Sequence, residues 1–386
     1  MSPSKERMRP THYLTVGTLL LGGIVGYFLF YSDAFATVYD QAEQKAREVV
    51  EAVAGPRSWP ATIDKEEYNR RLLALAHVPL ASTTPDAVRA ASTTSPPLLL
   101  RTATASTSVS VDGLRWPHPT IYPQGGALLP FNRIVAYYGN FYSRQMGVLG
   151  EYPRDVVLAK LASTTAAWAA ADPSTPTIPA IHYIAVVAQG SAGRDGMWRF
   201  RMPDDQIDHA LRMAEELHGL VFLDVQVGKS TLQSELPALE KYLSMPNVHL
   251  GIDPEFSMKY GDAPGTVIGT FSAGDVNYAA SYLAGLVREH QLPPKILVVH
   301  RFTMGMVTGT PLIAPLPEVQ IVMDMDGWGG VAKKIGTYTN IIAPHPVQFT
   351  GFKLFYKADL RPPSTGMLTK QQVLSLTPAP IYIQYQ

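Results

Sequence analysis

The chain has 386 residues, and its 32 Lys and Arg residues are balanced by 32 Asp and Glu residues, so its formal net charge is zero. Proteins that bind nucleic acid usually carry a basic excess, and we therefore expect no nucleic-acid partner. The absence of cysteine excludes disulfides, thiolate nucleophiles, zinc–cysteine sites and a lipidated cysteine.

The N-terminus carries the pattern of an export or anchor signal. Residues 13–31 contain no charged side chain, and this run is near the length needed to span a bilayer. Basic residues precede it, which predicts a cytoplasmic N-terminus and an exported remainder. We therefore expect a single-pass cell-membrane protein whose main domain is extracytoplasmic. The alternative is a secreted protein, because residues 34–36 have the small-x-small form of a signal-peptidase site, with cleavage near Ala36.

Four segments of different composition follow one another along the chain. Residues 1–36 form the cytoplasmic tail and the anchor or signal, and residues 37–80 are predicted to form membrane-proximal helices. Residues 81–113 are rich in Ser, Thr and Pro and too polar to bury a core, which indicates an extended linker. Residues 114–386 contain recurring apolar runs and form the main domain.

The main domain contains eight short apolar runs typical of β-strands. They occupy residues 133–138, 181–188, 220–225, 248–252, 296–300, 319–323, 351–356 and 381–385. Helices are predicted between several of them, over residues 154–168, 204–218, 232–243, 275–289 and 370–375. Alternating strands and helices predict parallel strands with crossover helices, and eight such units predict an α/β fold of the (β/α)8 TIM-barrel type.

Two points about this barrel stay open in the sequence. The final helix is expected to be absent, and an amphipathic helix over residues 66–78 is a candidate to cover the gap. A doubly wound open sheet is the main alternative fold. No Gly-rich phosphate loop supports it, because neither GxGxxG nor GxxxxGK[ST] occurs at the expected positions.

Carboxylates cluster at the predicted strand ends, where barrel active sites are built. Asp224 ends the third strand, Asp253 and Glu255 follow the fourth, and Asp324 and Asp326 follow the sixth. Because residues two apart on a strand share a face, Asp253 and Glu255 should project together. Glycoside hydrolysis needs one protonated and one ionised carboxyl, and crowded carboxylates separate their pKa values. We expect Glu255 as general acid, Asp253 assisting it, and the other three as nucleophile, base or sugar ligands.

Other interpretations of these acids remain open. Asp224 could cap a helix or form an ion pair, and Asp324 with Asp326 could belong to a turn or a metal loop. Asp253-Pro254-Glu255 could also be a helix start, with Asp as cap, Pro in the first turn and an acid in that turn. The capping and catalytic roles are compatible for Asp253. They exclude each other for Glu255, which must face inward to act.

Polar and aromatic residues near the same strand ends are candidates for substrate binding. They are Tyr137, Gln226, His300, Trp328 and Tyr385. We expect no metal and no cofactor, because His182 and His249 lie early in their strands, His300 stands alone at its strand end, and no HExxH motif occurs.

The fourth-strand ending Ile252-Asp253-Pro254-Glu255 resembles the Asp-x-Glu ending of TIM-barrel glycoside hydrolases of the chitinase and family-25 lysozyme types. In those families the Glu is the proton donor and the Asp assists it. The upstream aspartates of chitinases are missing here, since Val248 and Gly251 occupy those places. Over residues 133–386 the chain is most similar to uncharacterised bacterial surface lipoprotein-like barrels, a resemblance that implies a shared fold.

Together these features predict a membrane-anchored, extracytoplasmic glycoside hydrolase-like barrel. Its expected partner is a cell-wall, peptidoglycan-like or surface polysaccharide. The alternative from a different class is a non-catalytic surface barrel that binds a glycan or a protein. A third option is another barrel enzyme, such as a lyase or aldolase, for which Lys353 is the candidate Schiff-base lysine.

Overall fold

A computed structural model describes residues 60–78, 116 and 121–386 of the protein. The predicted anchor at 1–36, most of the membrane-proximal segment 37–80 and the linker at 81–113 lie outside these residues. Within the described part of the chain, no helix is both long enough and apolar enough to cross a membrane.

Of the eleven strands in the described residues, eight run parallel and close into a barrel. The strands in chain order are β1 (Arg133–Gly139), β2 (Thr177–Ala188), β3 (Arg199–Arg201), β4 (Leu220–Val225), β5 (Val248–Ile252), β6 (Phe271–Ser272), β7 (Lys295–Arg301), β8 (Val307–Thr308), β9 (Val319–Met325), β10 (Phe349–Leu354) and β11 (Tyr382–Tyr385). The barrel order is β1-β2-β4-β5-β7-β9-β10-β11, and β1 pairs with both β2 and β11. This closure confirms the predicted eight-stranded barrel and contradicts the open doubly wound sheet.

Three short strands lie outside the barrel wall. Strand β3 pairs antiparallel with the end of β2, and β6 pairs with β8 in a small separate sheet. Most barrel strands are buried along their whole length, as expected for parallel strands covered on both faces.

Helices cover the outside of the barrel. They are α1 (Lys65–Leu75), α2 (Val148–Glu151), α3 (Arg154–Ala171), α4 (Asp204–Glu216), α5 (Leu232–Glu235), α6 (Glu240–Leu243), α7 (Ala273–His290), α8 (Val331–Thr337) and α9 (Lys370–Leu374). The helix predicted over residues 232–243 is divided by a 3-10 turn at Leu236–Leu239, where Pro237 lacks a backbone N–H. Helix α8 was not predicted, because its glycine and β-branched residues have low helix propensity.

Helix α1 lies against the amino-terminal end of the barrel. Asp64 caps it by accepting a hydrogen bond from the Glu67 N–H at 2.9 Å. Its buried residues Tyr68, Leu72 and Leu75 join the core formed by apolar side chains near the strand starts. The predicted helix over 66–78 is therefore present, and it packs on this end of the barrel. No helix follows β11 in the described residues, and α9 contacts α3 in the outer layer there.

Candidate functional site

A pocket of about 710 Å³ opens at the carboxyl-terminal end of the barrel. This is the end at which barrel enzymes build their active sites. Its polar and aromatic lining includes Tyr138, Gln226, Asp253, Glu255, Phe256, Phe302, Asp326, Trp328, Lys333, Lys353 and Phe355. A concave site with aromatic walls and a few convergent charged groups is typical of small-molecule and substrate sites.

Asp253 and Glu255 reach this pocket by a different route from the predicted one. Strand β5 ends at Ile252, and Asp253 caps a 3-10 helix over Pro254–Phe256. The Glu255 N–H donates to Asp253 Oδ1 at 3.0 Å. The expectation that both acids project from one strand face was therefore wrong, because a helix start follows the strand. Both side chains nevertheless line the same pocket.

Glu255 is half-buried in the pocket wall. Burial raises the pKa of Glu255 because it disfavours the charged carboxylate, and the negative charge of Asp326 raises it further. Lys353 and His300 oppose these effects, and the resulting pKa is about 7. A substantial fraction of this carboxyl is therefore protonated at neutral pH.

Asp253 is almost completely buried and holds the backbone of Glu255. Burial raises the pKa of Asp253 well above its ordinary value, and the charges of Asp224, Glu255 and Asp326 add to this against an opposing effect of His300. The amide of Gln226 donates to Asp253 Oδ2 at 3.3 Å. Through these contacts Asp253 caps the short helix.

Asp326 is the carboxylate in the pocket that most directly opposes ionisation of Glu255. Its Oδ1 lies 2.9 Å from Lys353 Nζ, an ion pair that is almost fully buried. The same Nζ lies 3.8 Å from the centre of the Tyr138 ring. Lys353, the candidate Schiff-base lysine, therefore lines the pocket with its ammonium engaged by a carboxylate and an aromatic ring.

Three further predicted site residues lie below the pocket floor. Asp224, His300 and Asp324 are fully buried and do not line the pocket. Asp224 pairs in register with Gly251, two residues before Asp253, so it sits one inward-facing layer deeper. His300 and Asp324 are register partners, two residues before the Asp326 level. The Tyr138 hydroxyl donates to Asp224 Oδ2 at 2.9 Å and separates this layer from the pocket.

His300 does not stand alone, as its position in the sequence suggested. Its Nε2 lies 3.4 Å from Asp224 Oδ1, and its Nδ1 lies 3.2 Å from Asp324 Oδ2 and 3.4 Å from Asp326 Oδ2. Burial lowers the pKa of His300, but these carboxylates together raise it well above its ordinary value. His182 is also buried here, and burial lowers its pKa to about 4 despite the nearby Asp224, so it is neutral at pH 7.

Two predicted substrate residues face away from the barrel interior. The Tyr137 hydroxyl contacts the hydroxyls of Thr164 and Tyr356, and the Tyr385 hydroxyl accepts from Trp168 Nε1 at 3.0 Å. Their placement outside the pocket corrects the prediction, because alternation turns the neighbouring residue of each strand inward.

Of the predicted substrate residues, Gln226 and Trp328 do line the pocket. Tyr138 and Phe355 line it too, although they were not chosen from the sequence. Tyr138 adjoins Tyr137 on β1, and this continuously buried strand shows no polar–apolar alternation that would mark the inward residue. Lys333 lies on α8, and no pattern in the sequence pointed to it.

Glycine makes room for the buried polar layer on two strands. A Cβ on Gly251 would lie 2.4 Å from His182 Nε2 and 2.5 Å from Asp224 Oδ1. A Cβ on Gly351 would lie 2.4 Å from Asp324 Oδ1. A side chain at either position would displace the buried polar groups. Glycine at Gly251 on β5 and at Gly351 on β10 therefore leaves the space that these groups occupy.

Comparisons with known proteins leave the family open. No protein-family model matches the chain, and no curated protein matches it. Among solved structures, one match is a cellulase, Cel5C_n, with 15% identity and a TM-score of 0.34. The match covers 57% of this chain and 65% of the cellulase chain, which is less than two-thirds of its length. So weak a likeness carries no inference about activity, and the barrel is established by its own strand pairing.

Proposed function

We propose that this barrel is a glycoside hydrolase, with Glu255 as its general acid and a cell-wall or surface polysaccharide as its substrate. The observation that carries the proposal is the placement of Glu255 in the pocket wall, with a pKa of about 7, beside the ion-paired Asp326. Glycosidases need one carboxyl that is protonated at working pH and another that is ionised.

Each carboxyl of the pocket takes a defined part in the reaction. Glu255 donates its proton to the glycosidic oxygen as the bond to the anomeric carbon breaks. Asp326 supplies the ionised carboxylate that attacks the anomeric carbon or activates a water molecule. Lys353 orients Asp326 through their ion pair. Asp253 acts as a positioning residue, because its side chain holds the Glu255 backbone.

Aromatic side chains of the pocket suit a sugar substrate. The Trp328 ring lines the pocket and is 51% exposed, so its face is available for stacking on a sugar ring. Lys333 Nζ lies over that ring, 4.7 Å from its centre, and this cation–π contact restrains the ring. The predicted export signal supports a substrate outside the cytoplasmic membrane.

The lining of the pocket favours an enzyme over the non-catalytic alternative. A barrel that only binds a glycan would leave Asp253 and Glu255 in caps or ion pairs that point away from any cleft. Asp253 is such a cap, but Glu255 lies in the wall of an acidic pocket. A carboxyl whose pKa is strongly raised by burial and a nearby charge, and which lies in a cleft, is characteristic of functional sites.

The direct test is turnover of polysaccharides by the purified protein and by Glu255→Gln. We expect release of reducing ends from a cell-envelope glycan, reduced about 10²- to 10⁴-fold in the variant because the general acid is lost. Glu215→Gln on α4 is the matched control, since this residue is exposed and does not line the pocket. Equal turnover by Glu255→Gln and wild type would contradict the assignment.

A further inference from the structure

We propose that His182, Asp224 and His300 bind one divalent transition-metal ion, with Zn²⁺ favoured, inside the barrel beneath the pocket. The three side chains are fully buried and offer one ligand atom each within 4.8 Å of one another. The site does not depend on the glycosidase proposal, because none of the three residues lines the pocket.

The distances between the three side chains fit a metal better than hydrogen bonds. Asp224 Oδ1 lies 3.4 Å from His182 Nε2 and 3.4 Å from His300 Nε2. Two ligands bound to Zn²⁺ at the tetrahedral angle lie about 3.4 Å apart, given ordinary Zn–N and Zn–O bond lengths. Good N–H···O hydrogen bonds are shorter. Within the described part of the chain, none of these three atoms has a hydrogen-bond partner.

The opposite atom of each side chain lies beside a polar group. His182 Nδ1 lies 2.6 Å from the Tyr382 hydroxyl and 3.0 Å from the Gln384 amide nitrogen, and His300 Nδ1 lies 3.2 Å from Asp324 Oδ2. Gln384 Oε1 has no partner among the described residues, so the opposite orientation of this amide lets Oε1 accept from the Nδ1–H of His182. Asp224 Oδ2 accepts from the Tyr138 hydroxyl. Metal-binding histidines commonly use the second ring nitrogen in this way, which turns Nε2 towards the ion. All three candidate ligand atoms thus lie on the side of their groups away from these partners and within 4.8 Å of one another.

The buried carboxyl groups in this part of the interior also favour the binding of a cation. Lys353 pairs with Asp326, but Asp224, Asp253 and Asp324 have no Lys or Arg ion-pair partner among the described residues. Buried charges are normally paired or bound to a metal. A proton on His300 and a metal ion are alternative ways to offset the charge of Asp224, and the experiment below separates them.

The space for an ion is provided by Gly251. A Cβ there would approach both His182 Nε2 and Asp224 Oδ1 to within about 2.5 Å, as given above, so the missing side chain leaves room beside two of the three ligand atoms. Two imidazole nitrogens with one carboxylate form a donor set used by Zn²⁺ and by Fe²⁺. The two separations from Asp224 Oδ1, both near the tetrahedral value, favour Zn²⁺.

The test measures metal content and affinity in the full chain, purified in detergent because of its predicted anchor. We expect one Zn²⁺ per chain by mass spectrometry after equilibration and gel filtration, and visible absorption of four-coordinate Co²⁺ after substitution. Asp224→Asn and His182→Gln should weaken Zn²⁺ affinity by at least about 100-fold, and Tyr382→Phe by about 10-fold.

His249→Gln is the matched control, because His249 is another buried histidine of the barrel, deeper in β5, with Nδ1 accepting from the Ile296 N–H at 3.1 Å. This variant should keep wild-type Zn²⁺ stoichiometry. The wild-type measurement does not depend on whether any variant folds. Failure of wild type to hold one equivalent of Zn²⁺, Co²⁺, Fe²⁺ or Mn²⁺ would overturn the proposal, as would unchanged affinity in folded Asp224→Asn and His182→Gln proteins.

Discussion

The raised pKa of Glu255 lowers the stability of the fold and at the same time suits this residue to donate a proton. Its carboxyl is half-buried beside Asp326 and near the buried Asp253, while Lys353 and Lys333 face the same pocket. The pKa is raised from an ordinary value of 4.5 to about 7, so the folded protein binds this proton more tightly than the unfolded chain does. The raised pKa that keeps Glu255 partly protonated near neutral pH also lowers the free energy of unfolding at higher pH.

We predict that Glu255→Gln stabilises the protein above neutral pH. Below pH 4.5 the carboxyl is protonated in both states and exerts no cost. As pH rises from 4.5 to about 7, only the unfolded chain ionises, so wild type loses stability that the variant retains. The difference should reach at most about 3.5 kcal/mol, at about 1.4 kcal/mol for each pH unit.

Urea unfolding of both proteins at pH 5 and pH 8 measures this effect. The pH 5 comparison serves as the internal control, because most of the difference in stability develops between pH 5 and pH 7. A variant that is no more stable than wild type at pH 8, or a difference that is larger at pH 5, would contradict the pKa given for Glu255.

At the scale of elements, the strands were predictable and the inward layers were not. All eight barrel strands coincide with apolar runs, because parallel strands buried on both faces are nearly continuous in Val, Ile and Leu. That same continuity removes the polar–apolar alternation that would reveal which residues point inward. Tyr137 and Tyr138 therefore could not be separated by pattern, and Asp224 could not be assigned to a deeper layer than Asp253.

The start of the helix after β5 shows a second limit. Asp253-Pro254-Glu255 fits both a strand ending and a helix cap, and the sequence left both open. The 3-10 helix forms because the Asp253 side chain accepts a hydrogen bond from the Glu255 N–H and Pro254 is favoured in the first turn. Glu255 still reaches the pocket, so the candidate acid was found by an argument whose geometry was partly wrong.

We predict that Gly251→Ala destabilises the barrel. The new methyl group would meet His182 and Asp224 at 2.4–2.5 Å, and overpacking of a core typically costs about 1–3 kcal/mol. Gly285→Ala in α7 is the matched control, because a Cβ there meets no atom within 4 Å. The control should be neutral or stabilise the helix by up to about 1 kcal/mol. Thermal or urea unfolding that shows equal effects for the two changes would contradict the close approach at Gly251.

At the scale of the whole molecule, the two ends of the barrel differ in polarity: one carries the polar pocket and the other an apolar core. The carboxyl-terminal end holds the pocket and the charged layers, while the amino-terminal end is closed by α1. The Leu75 carbonyl accepts a hydrogen bond from the Ala379 N–H at 2.7 Å, which joins α1 to the segment before β11. Apolar packing at the amino-terminal end stabilises the barrel, and this offsets the cost of burying polar groups at the carboxyl-terminal end.

We predict that Leu72→Ala in α1 lowers the free energy of unfolding of the whole barrel by about 2–5 kcal/mol, as core truncations do. Leu72 is buried in the core cluster of the amino-terminal end. Leu312→Ala is the control, because that side chain is 74% exposed and its loss should change stability by less than about 0.5 kcal/mol. An unaffected Leu72→Ala protein would mean that α1 is only loosely attached to the barrel.

The leaving-group dependence of Glu255→Gln tests the central claim most directly. Two glycosides of the same sugar are compared, one with a dinitrophenyl leaving group that needs no protonation and one with an alkyl leaving group that does. A general acid at Glu255 predicts that the variant loses about 10²- to 10⁴-fold on the alkyl glycoside and little in bond cleavage of the dinitrophenyl glycoside. Equal losses on both substrates would contradict proton donation by Glu255.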